Sequence, residues 1–494
     1  MLLKRGHQPD MPHPQVCVAV TGATMDEIRR NRDAAEGADI VEMRLDWVDH
    51  PDARAALDGR LRPVILTCRP AWEGGRFTGP EENRRRILEE GIASGAEFVD
   101  VEARAGFAQD LIRARRGRGL VLSTHIYGPV PADLERRWAT LKSSGAEVVK
   151  LAADAQTLSD TLRIMSLAHA GGNDVDPAHV LIAMGEAGIP SRVLATRLRN
   201  RWTYAGNGVA PGQLTPLRLI REFRVRDLRS DSAIFGVVGN PVSHSLSPAM
   251  HNAGFARLQW NAVYLPLQAS DANDFVGFAK ALSLAGVSIT SPFKVALMDH
   301  VDELEPLARR VGAINTIVVR DGRWLGANTD VYGFSTPLAA RMKVKGVRAS
   351  VLGAGGAARA VAVALADMGA AVTICARRAE AARQIAELVH GTVGTFPPRA
   401  GSWDVLVNAI PAGDAAGERS PIEEAPLDGE IVFDLVYAPA ETRLLRDARA
   451  AGCMTIGGLE MLVAQAERQF ELWTGHAPPT GLFQKAACAG LMHT

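Results

Sequence analysis

The amino-acid sequence predicts an α/β protein in two parts, an N-terminal (β/α)8 barrel followed by a two-subdomain α/β region that contains a Rossmann subdomain. Short β-type runs alternate eight times with helix-spaced stretches over roughly 210 residues, a closed-barrel rhythm. A polar segment then interrupts the alternation. Beyond it, a glycine-rich turn follows a strand and opens a helix, the local pattern of a dinucleotide-binding unit.

The eight runs begin at Val16, Asp39, Pro63, Glu97, Leu120, Glu147, His179 and Trp202. They are followed by Arg221 to Ser232, REFRVRDLRSDS, whose alternating charge marks a boundary before the new strand AIFGVVG from Ala233. The resulting division is 1–228 and 229–494, with 336–456 as the Rossmann subdomain inside the second part. The tail from about Gly457 reads as helical and is expected to return to the subdomain that precedes the Rossmann unit. At 494 residues the chain is too long for one ordinary core.

Composition narrows the function. Lys plus Arg and Asp plus Glu both total 55, so no global basic field exists to draw nucleic acid or an anionic membrane, and neither is an expected partner. No apolar run reaches the roughly 18 residues of a membrane span, and Met1 to Gln15 has no signal-length hydrophobic stretch, which places the chain in the cytoplasm. Cys17, Cys68, Cys375, Cys453 and Cys488 are widely separated, so they read as small core residues carrying reduced thiols, with no metal site expected.

Within the barrel, side chains two apart along a strand share a direction. Glu42, Arg44 and Asp46 alternate with Met43, Leu45 and Trp47, and Arg69, Asp100, Glu102, His125 and Lys150 recur at the ends of later strands. Barrel active sites form at that C-terminal end. An ion-pair network closing the barrel mouth is the structural alternative. Lys150, between Val149 and Leu151, is expected to lose hydration and to carry some free amine, as a Schiff-base nucleophile requires. A neutral His125 suits proton transfer, with Glu73 or Glu42 fixing its tautomer.

EMRLDW, TCRPAWEGG, LSTH, VVKLA, MGEAGIPSR and APGQ, in this order, resemble type I 3-dehydroquinate dehydratase over nearly all of the first part. The resemblance implies that Lys150 forms an iminium with the substrate ketone, that His125 moves the proton and assists the leaving hydroxyl, and that Glu73 orients His125. It implies substrate binding by Glu42, Arg44 and Arg69, carboxylate binding by Arg192 and Gln213, and an apolar wall at Met184. Val209 departs from a frequent serine, which is expected to weaken substrate binding.

In the second part, SVLGAGGAARAVAVALADMG sets Gly353, Gly355 and Ala358 at the dinucleotide spacing, and the loop Gly353, Ala354, Gly355, Gly356 and Ala357 is the expected cofactor contact. The next strand ends in Arg377 and Arg378 where an acidic residue would select NAD, so NADP is the expected cofactor. GNPVSHSLSPAMHN, SITSPFK, GAINTI, GANTD, DLVYAP and GGLEMLVAQA resemble shikimate dehydrogenase over this whole part. The resemblance implies a substrate subdomain over 229–335 and 457–494, a dyad of Lys294 and Asp330, carboxylate binding by Ser245 and Ser247, and ring contacts from Thr290, Asn315, Tyr437 and Gln465. Ile410 and Glu460 depart from the family pattern, near the nicotinamide and between the subdomains.

The combined expectation is an enzyme that dehydrates 3-dehydroquinate and reduces the product, 3-dehydroshikimate, to shikimate. The alternatives are a non-catalytic sensor of the same fold and an NAD-linked catabolic dehydrogenase.

Overall fold

The structure is a computed structural model that describes residues 13–169, 177–206, 208, 211–410, 419–423 and 425–491. Its residues cluster into two compact units. One ends at Ala233 and also includes Asn261–Leu282; the other comprises Ile234–Trp260 and the residues from Ser283 onward.

In the first unit the eight expected strands form, as β1 Gln15–Val20, β2 Ile40–Arg44, β3 Val64–Thr67, β4 Phe98–Glu102, β5 Leu120–Ile126, β6 Val148–Asp154, β7 Ala178–Met184 and β8 Trp202–Ala205. They are shorter than the apolar runs in places: Leu45–Trp47 is a 3-10 turn, not strand. The order is β7-β6-β5-β4-β3-β2-β1-β8. Closure between β7 and β8 uses the main-chain bond from Arg201 N to His179 O (2.8 Å) and the carboxamide of buried Asn200. Its Oδ1 accepts from Leu181 N and its Nδ2 donates to Leu181 O, both at 3.0 Å.

The interior is layered. Cys17, Ile40, Ile65, Phe98, Val121, Val148, Val180 and Trp202 pack together at one level of the barrel. Advancing two residues along six of these strands gives Glu42, Thr67, Asp100, Ser123, Lys150 and Tyr204, so the same inward face turns polar one step nearer the C-terminal ends. The strand β10 Ala262–Gln268 and the helix Ala272–Ala281 cluster with this unit, in which Asp274 caps the barrel helix Leu158–Ser166. Its carboxylate accepts from Leu158 N (3.1 Å), Ser159 N (2.8 Å) and Ser159 Oγ (2.6 Å).

In the second unit, β9 Ala233–Gly239, β11 Gly286–Ile289, β12 Glu303–Leu304, β13 Thr316–Arg320 and β14 Arg323–Ala327 run in the order β9-β11-β13-β14-β12. A second sheet contains β15 Arg348–Leu352, β16 Ala371–Cys375, β17 Thr392–Val393, β18 Val405–Asn408, β19 Ile431–Asp434 and β20 Met454–Gly457. All its pairings are parallel and the order is β17-β16-β15-β18-β19-β20, the doubly wound Rossmann order. The C-terminal helix Gly458–Thr474 packs on the first of these sheets, as expected: Gln469 Nε2 donates to Asn315 O (3.1 Å) and Trp473 Nε1 to Ile317 O (3.0 Å). It also lies close against the helix Asp330–Ala339. A Cβ at Gly333 would fall 2.7 Å from the Gln465 Cβ, so glycine permits the approach that brings Asp330 and Gln465 together.

Of the cysteines, Cys17, Cys68, Cys375 and Cys453 are buried, but Cys488 is exposed, contrary to its expected core role, because its helix at the chain end buries only one face. Among the described residues no helix is long and apolar enough to cross a membrane. Asn200→Ala should strip two buried hydrogen bonds from the barrel closure and cost about 2–4 kcal/mol, measured as a lower urea midpoint of the first unit.

Candidate active sites

At the C-terminal end of the barrel strands a cavity of about 200 Å³ is lined by Glu42, Arg44, Arg69, His125, Lys150, Met184, Arg192, Tyr204 and Gln213, among others. Eight of these nine are expected site or wall residues; Tyr204 is the addition. Glu73 stands behind His125. Val209 lies outside the described residues.

Lys150 does not lie in the apolar surroundings that its sequence neighbours predict. Strand alternation turns Val149 and Leu151 away from it, and its Nζ donates to Asp100 Oδ2 (3.2 Å) and Tyr204 Oη (3.0 Å), with Glu42 Oε2 at 3.6 Å. Arg69 ties the layer together, donating from Nη1 to Glu102 Oε1 (2.6 Å), Ser123 Oγ (2.8 Å) and Asp100 Oδ1 (3.1 Å). Arg84, from the helix Glu81–Ala93, pairs with the other oxygen of Glu102. Burial opposes charge on Arg69, but Asp100, Glu102 and Glu42 hold its guanidinium well above the usual range. Burial likewise opposes charge on Asp100, yet Arg69 and Lys150 keep its carboxyl below the usual range.

The buried layer is therefore self-neutralising, with Glu42, Asp100 and Glu102 set against Arg69, Arg84 and Lys150. Arg44 is matched separately, Nε and Nη2 each 2.9 Å from an oxygen of Asp46. Arg192 is different. It is buried, its Nη2 donates to Pro211 O (3.1 Å), its Nε has no partner, and among the described residues no carboxylate pairs with it. Burial alone pulls its pKa down to about 10. A buried guanidinium without a counter-ion at a cavity wall is a receptor for an anion.

Glu73 Oε1 lies 3.1 Å from His125 Nδ1 and accepts from His125 N at 2.8 Å. It fixes the imidazole, and of the two carboxylates considered for that role it is Glu73, not Glu42, that does so; Glu42 accepts instead from Thr67 Oγ1 (2.7 Å). Burial pushes the Glu73 carboxyl up to about 7. Burial, then Arg69 and Lys150, holds His125 well below the usual histidine range, so the imidazole is neutral.

In the second unit Lys294 Nζ donates to Asp330 Oδ2 at 2.5 Å. Asn315 Nδ2 donates to Asp330 Oδ1 (2.7 Å) and to Thr329 Oγ1 (2.9 Å), with Gln465 Oε1 at 3.4 Å. This cluster joins four of the expected residues. Ser247 opens the helix Ser247–Arg257, and its N donates to Ser245 Oγ at 3.3 Å. Thr290 directly follows β11, beside Gly239. Tyr437 follows β19 and is partly buried, which raises its phenol pKa; among the described residues no hydrogen bond ties Thr290 or Tyr437 to the cluster.

The glycine loop fits a dinucleotide. Gly353 has φ +106°, and a Cβ there would meet Ala409 O and Ile410 at 3.2 Å, so the tight turn requires glycine. At Gly355 a Cβ would meet nothing within 4 Å, which leaves open space at the start of the helix Gly356–Asp367, where no side chain caps the free N–H groups. Ala354 and Ala357 complete the loop with side chains too small to fill it. Gly356 lies against the aliphatic stem of Lys294, 3.7 Å from where its Cβ would be, so the loop and the lysine share one cleft. Arg377 and Arg378 are exposed at the loop's edge, with Arg378 Nη2 at 3.5 Å from Ala354 O. Glu460 pairs with Arg341 (2.8 Å), and Ile410 N donates to Asn408 Oδ1 (3.0 Å).

Sequence reasoning missed Arg84 and Tyr204. Tyr204 had an available signal, because it follows Trp202 by two residues as Lys150 follows Val148. Arg84 had none, being one arginine among several on a helix.

With Glu73 protonated, Nδ1 faces a neutral carboxyl in place of an anionic acceptor, and the tautomer whose Nε2 is a base is held less firmly. Any turnover that uses His125 as a base, measured as kcat/KM, should fall as pH drops through about 7; Glu73→Gln should lower the plateau by about 100-fold and flatten that limb.

A family model of type I 3-dehydroquinase matches residues 16–227, one of the shikimate dehydrogenase substrate binding domain matches 237–317, and one of the shikimate 5'-dehydrogenase C-terminal domain matches 458–488. The chain is 32% identical over 513 residues to the chloroplastic bifunctional 3-dehydroquinate dehydratase/shikimate dehydrogenase of Arabidopsis thaliana, covering 95% of this chain and 83% of that one. Over 52% of the chain it is 43% identical to the shikimate dehydrogenase (NADP(+)) of Halorubrum lacusprofundi, of which it covers 99%. Among solved structures, the shikimate dehydrogenase from Aquifex aeolicus is similar at 32% identity and TM-score 0.50, over 52% of this chain and 98% of that one. The chain thus belongs to the family of bifunctional 3-dehydroquinate dehydratase/shikimate dehydrogenases.

Proposed function

We propose that Lys150, His125 and Glu73 carry the dehydration of 3-dehydroquinate, and that Lys294 and Asp330 carry the reduction of 3-dehydroshikimate to shikimate. The chain is a 3-dehydroquinate dehydratase and an NADP-dependent shikimate dehydrogenase; the assignment of residues to steps is our reading. The observation that carries it is that the uncompensated Arg192 and the amine of Lys150 line one cavity, which suits a substrate bearing both a carboxylate and a ketone.

Arg192 and Gln213 hold the carboxylate, while Glu42, Arg44 and Arg69 face the ring. Lys150 Nζ, as the free amine, adds to the ketone carbon. The ketone oxygen leaves as water, taking one proton from the nitrogen and one from an acid, and an iminium remains. His125 then takes the proton from the carbon next to the iminium, whose positive nitrogen accepts the electron pair. The hydroxyl β to the iminium departs as a second water, with the proton returned by His125. Hydrolysis of the iminium consumes one water and frees Lys150, so the net change is loss of one water.

In the second site Ser245 and Ser247 hold the carboxylate, and Thr290, Asn315, Tyr437 and Gln465 contact the ring. Gly353, Ala354, Gly355, Gly356 and Ala357 would hold NADPH, Arg377 and Arg378 would meet its 2′-phosphate, and the bound cofactor would supply a hydride for the ketone carbon. Lys294 stabilises the growing charge on oxygen and gives it a proton, and Asp330, fixed by Asn315, aims the ammonium.

We divide the activities at residue 228, with 229–335 and 457–494 as substrate subdomain and 336–456 as NADP-binding subdomain. The five free thiols support a cytoplasmic setting. Lys150→Ala should abolish dehydration and leave 3-dehydroshikimate reduction intact, and Lys294→Ala should do the reverse, with each loss at least about 1,000-fold in kcat. Loss of both activities in either variant would contradict separate sites.

A further inference from the structure

Tyr204 is buried in β8, faces the barrel cavity, and has no part in the steps above. Its Oη accepts a hydrogen bond from Lys150 Nζ at 3.0 Å, and the centre of its ring lies 4.3 Å from the same nitrogen. We propose that Tyr204 is a positioning residue for imine formation: with Asp100 it holds the two N–H bonds of the free Lys150 amine, leaving the lone pair for the ketone carbon. This inference rests on the reading of Lys150 as the nucleophile.

A free amine has two N–H bonds and one lone pair in tetrahedral directions. Two acceptors stand within hydrogen-bond distance of Nζ, Asp100 Oδ2 at 3.2 Å and Tyr204 Oη at 3.0 Å; Glu42 at 3.6 Å is beyond it. When both N–H bonds are held, the lone pair is fixed as well, and Lys150 lines the cavity that receives the substrate. A single acceptor would leave the amine free to rotate about its last C–N bond.

The chemical identity of the second acceptor matters. A third carboxylate close to Nζ would add to the cost of releasing the ammonium proton. Burial, then Glu42, pushes the Tyr204 phenol well above its usual range, so it remains uncharged and accepts without adding negative charge. After attack, the nitrogen becomes a cationic iminium over the ring face, where the ring quadrupole favours positive charge. The hydroxyl thus serves the attack and the ring serves its product, and the two contributions separate by mutation.

The test follows imine formation by quenching with borohydride at intervals after mixing with 3-dehydroquinate, in the full chain and in Tyr204→Phe and Tyr204→Leu. Reduction of 3-dehydroshikimate by each variant checks that the chain is folded. Tyr204→Phe should slow trapping at Lys150 about tenfold, the scale of one hydrogen bond, and lower kcat for dehydration while KM stays within about twofold. Tyr204→Leu should also reduce the fraction trapped at steady state by a further several-fold, roughly the scale of a lost cation–π contact. Trapping of Tyr204→Phe at the rate of the unmodified chain overturns the inference. So does a loss confined to KM, which marks a binding or packing role. Failure of the unmodified chain to trap at all overturns the Lys150 reading itself, and this inference with it.

Discussion

The barrel site depends on a buried charge balance. Glu42, Asp100 and Glu102 face Arg69, Arg84 and Lys150 in one layer near the C-terminal ends of the strands. Burying any one of these ions alone would be prohibitive, and removing a single member would strand its partner. The set persists because each carboxylate meets at least one cation, and because Ser123 and Thr67 fill further hydrogen-bonding positions. The balance has a functional consequence. Since the layer neutralises itself, the positive charge of Arg192 is left over at the cavity wall, where it suits an anionic group.

The same constraint shapes the reaction. Beside the charged layer stand groups whose ionisation burial opposes. His125 is kept uncharged by burial and by neighbouring cations, Glu73 behind it has a carboxyl pushed up to about 7, and Tyr204 is an uncharged phenol. In the proposed mechanism, acid–base work near neutral pH thereby falls to groups other than Lys150. In the second unit the arrangement is simpler: Lys294 is paired with Asp330 alone, which suits the proposed role of a cation and proton donor.

Much of this was legible in the sequence. The eight strands, the Rossmann turn at Gly353 and the charged strand ends of Glu42, Arg44 and Lys150 follow from alternation and turn chemistry, and the order of the short motifs gave the family. What was not legible is mostly proximity. Val149 and Leu151 made the surroundings of Lys150 look apolar, but adjacent residues in a strand face opposite ways, and its real neighbours come from β4, β2 and β8. Arg84 is a helix residue whose partner, Glu102, is on another element. Cys488 read as a core residue, but only one side of its helix is covered. The helix approach at Gly333 depends on a missing Cβ whose neighbour is more than a hundred residues away.

The central claim is that Lys150 Nζ is the atom that reacts with 3-dehydroquinate. Peptide mass mapping after borohydride reduction in the presence of that substrate tests it most directly. A stable adduct on the peptide carrying Lys150, and its disappearance in Lys150→Ala, is the predicted result. An adduct on another lysine, or full dehydration with no adduct anywhere, would contradict it.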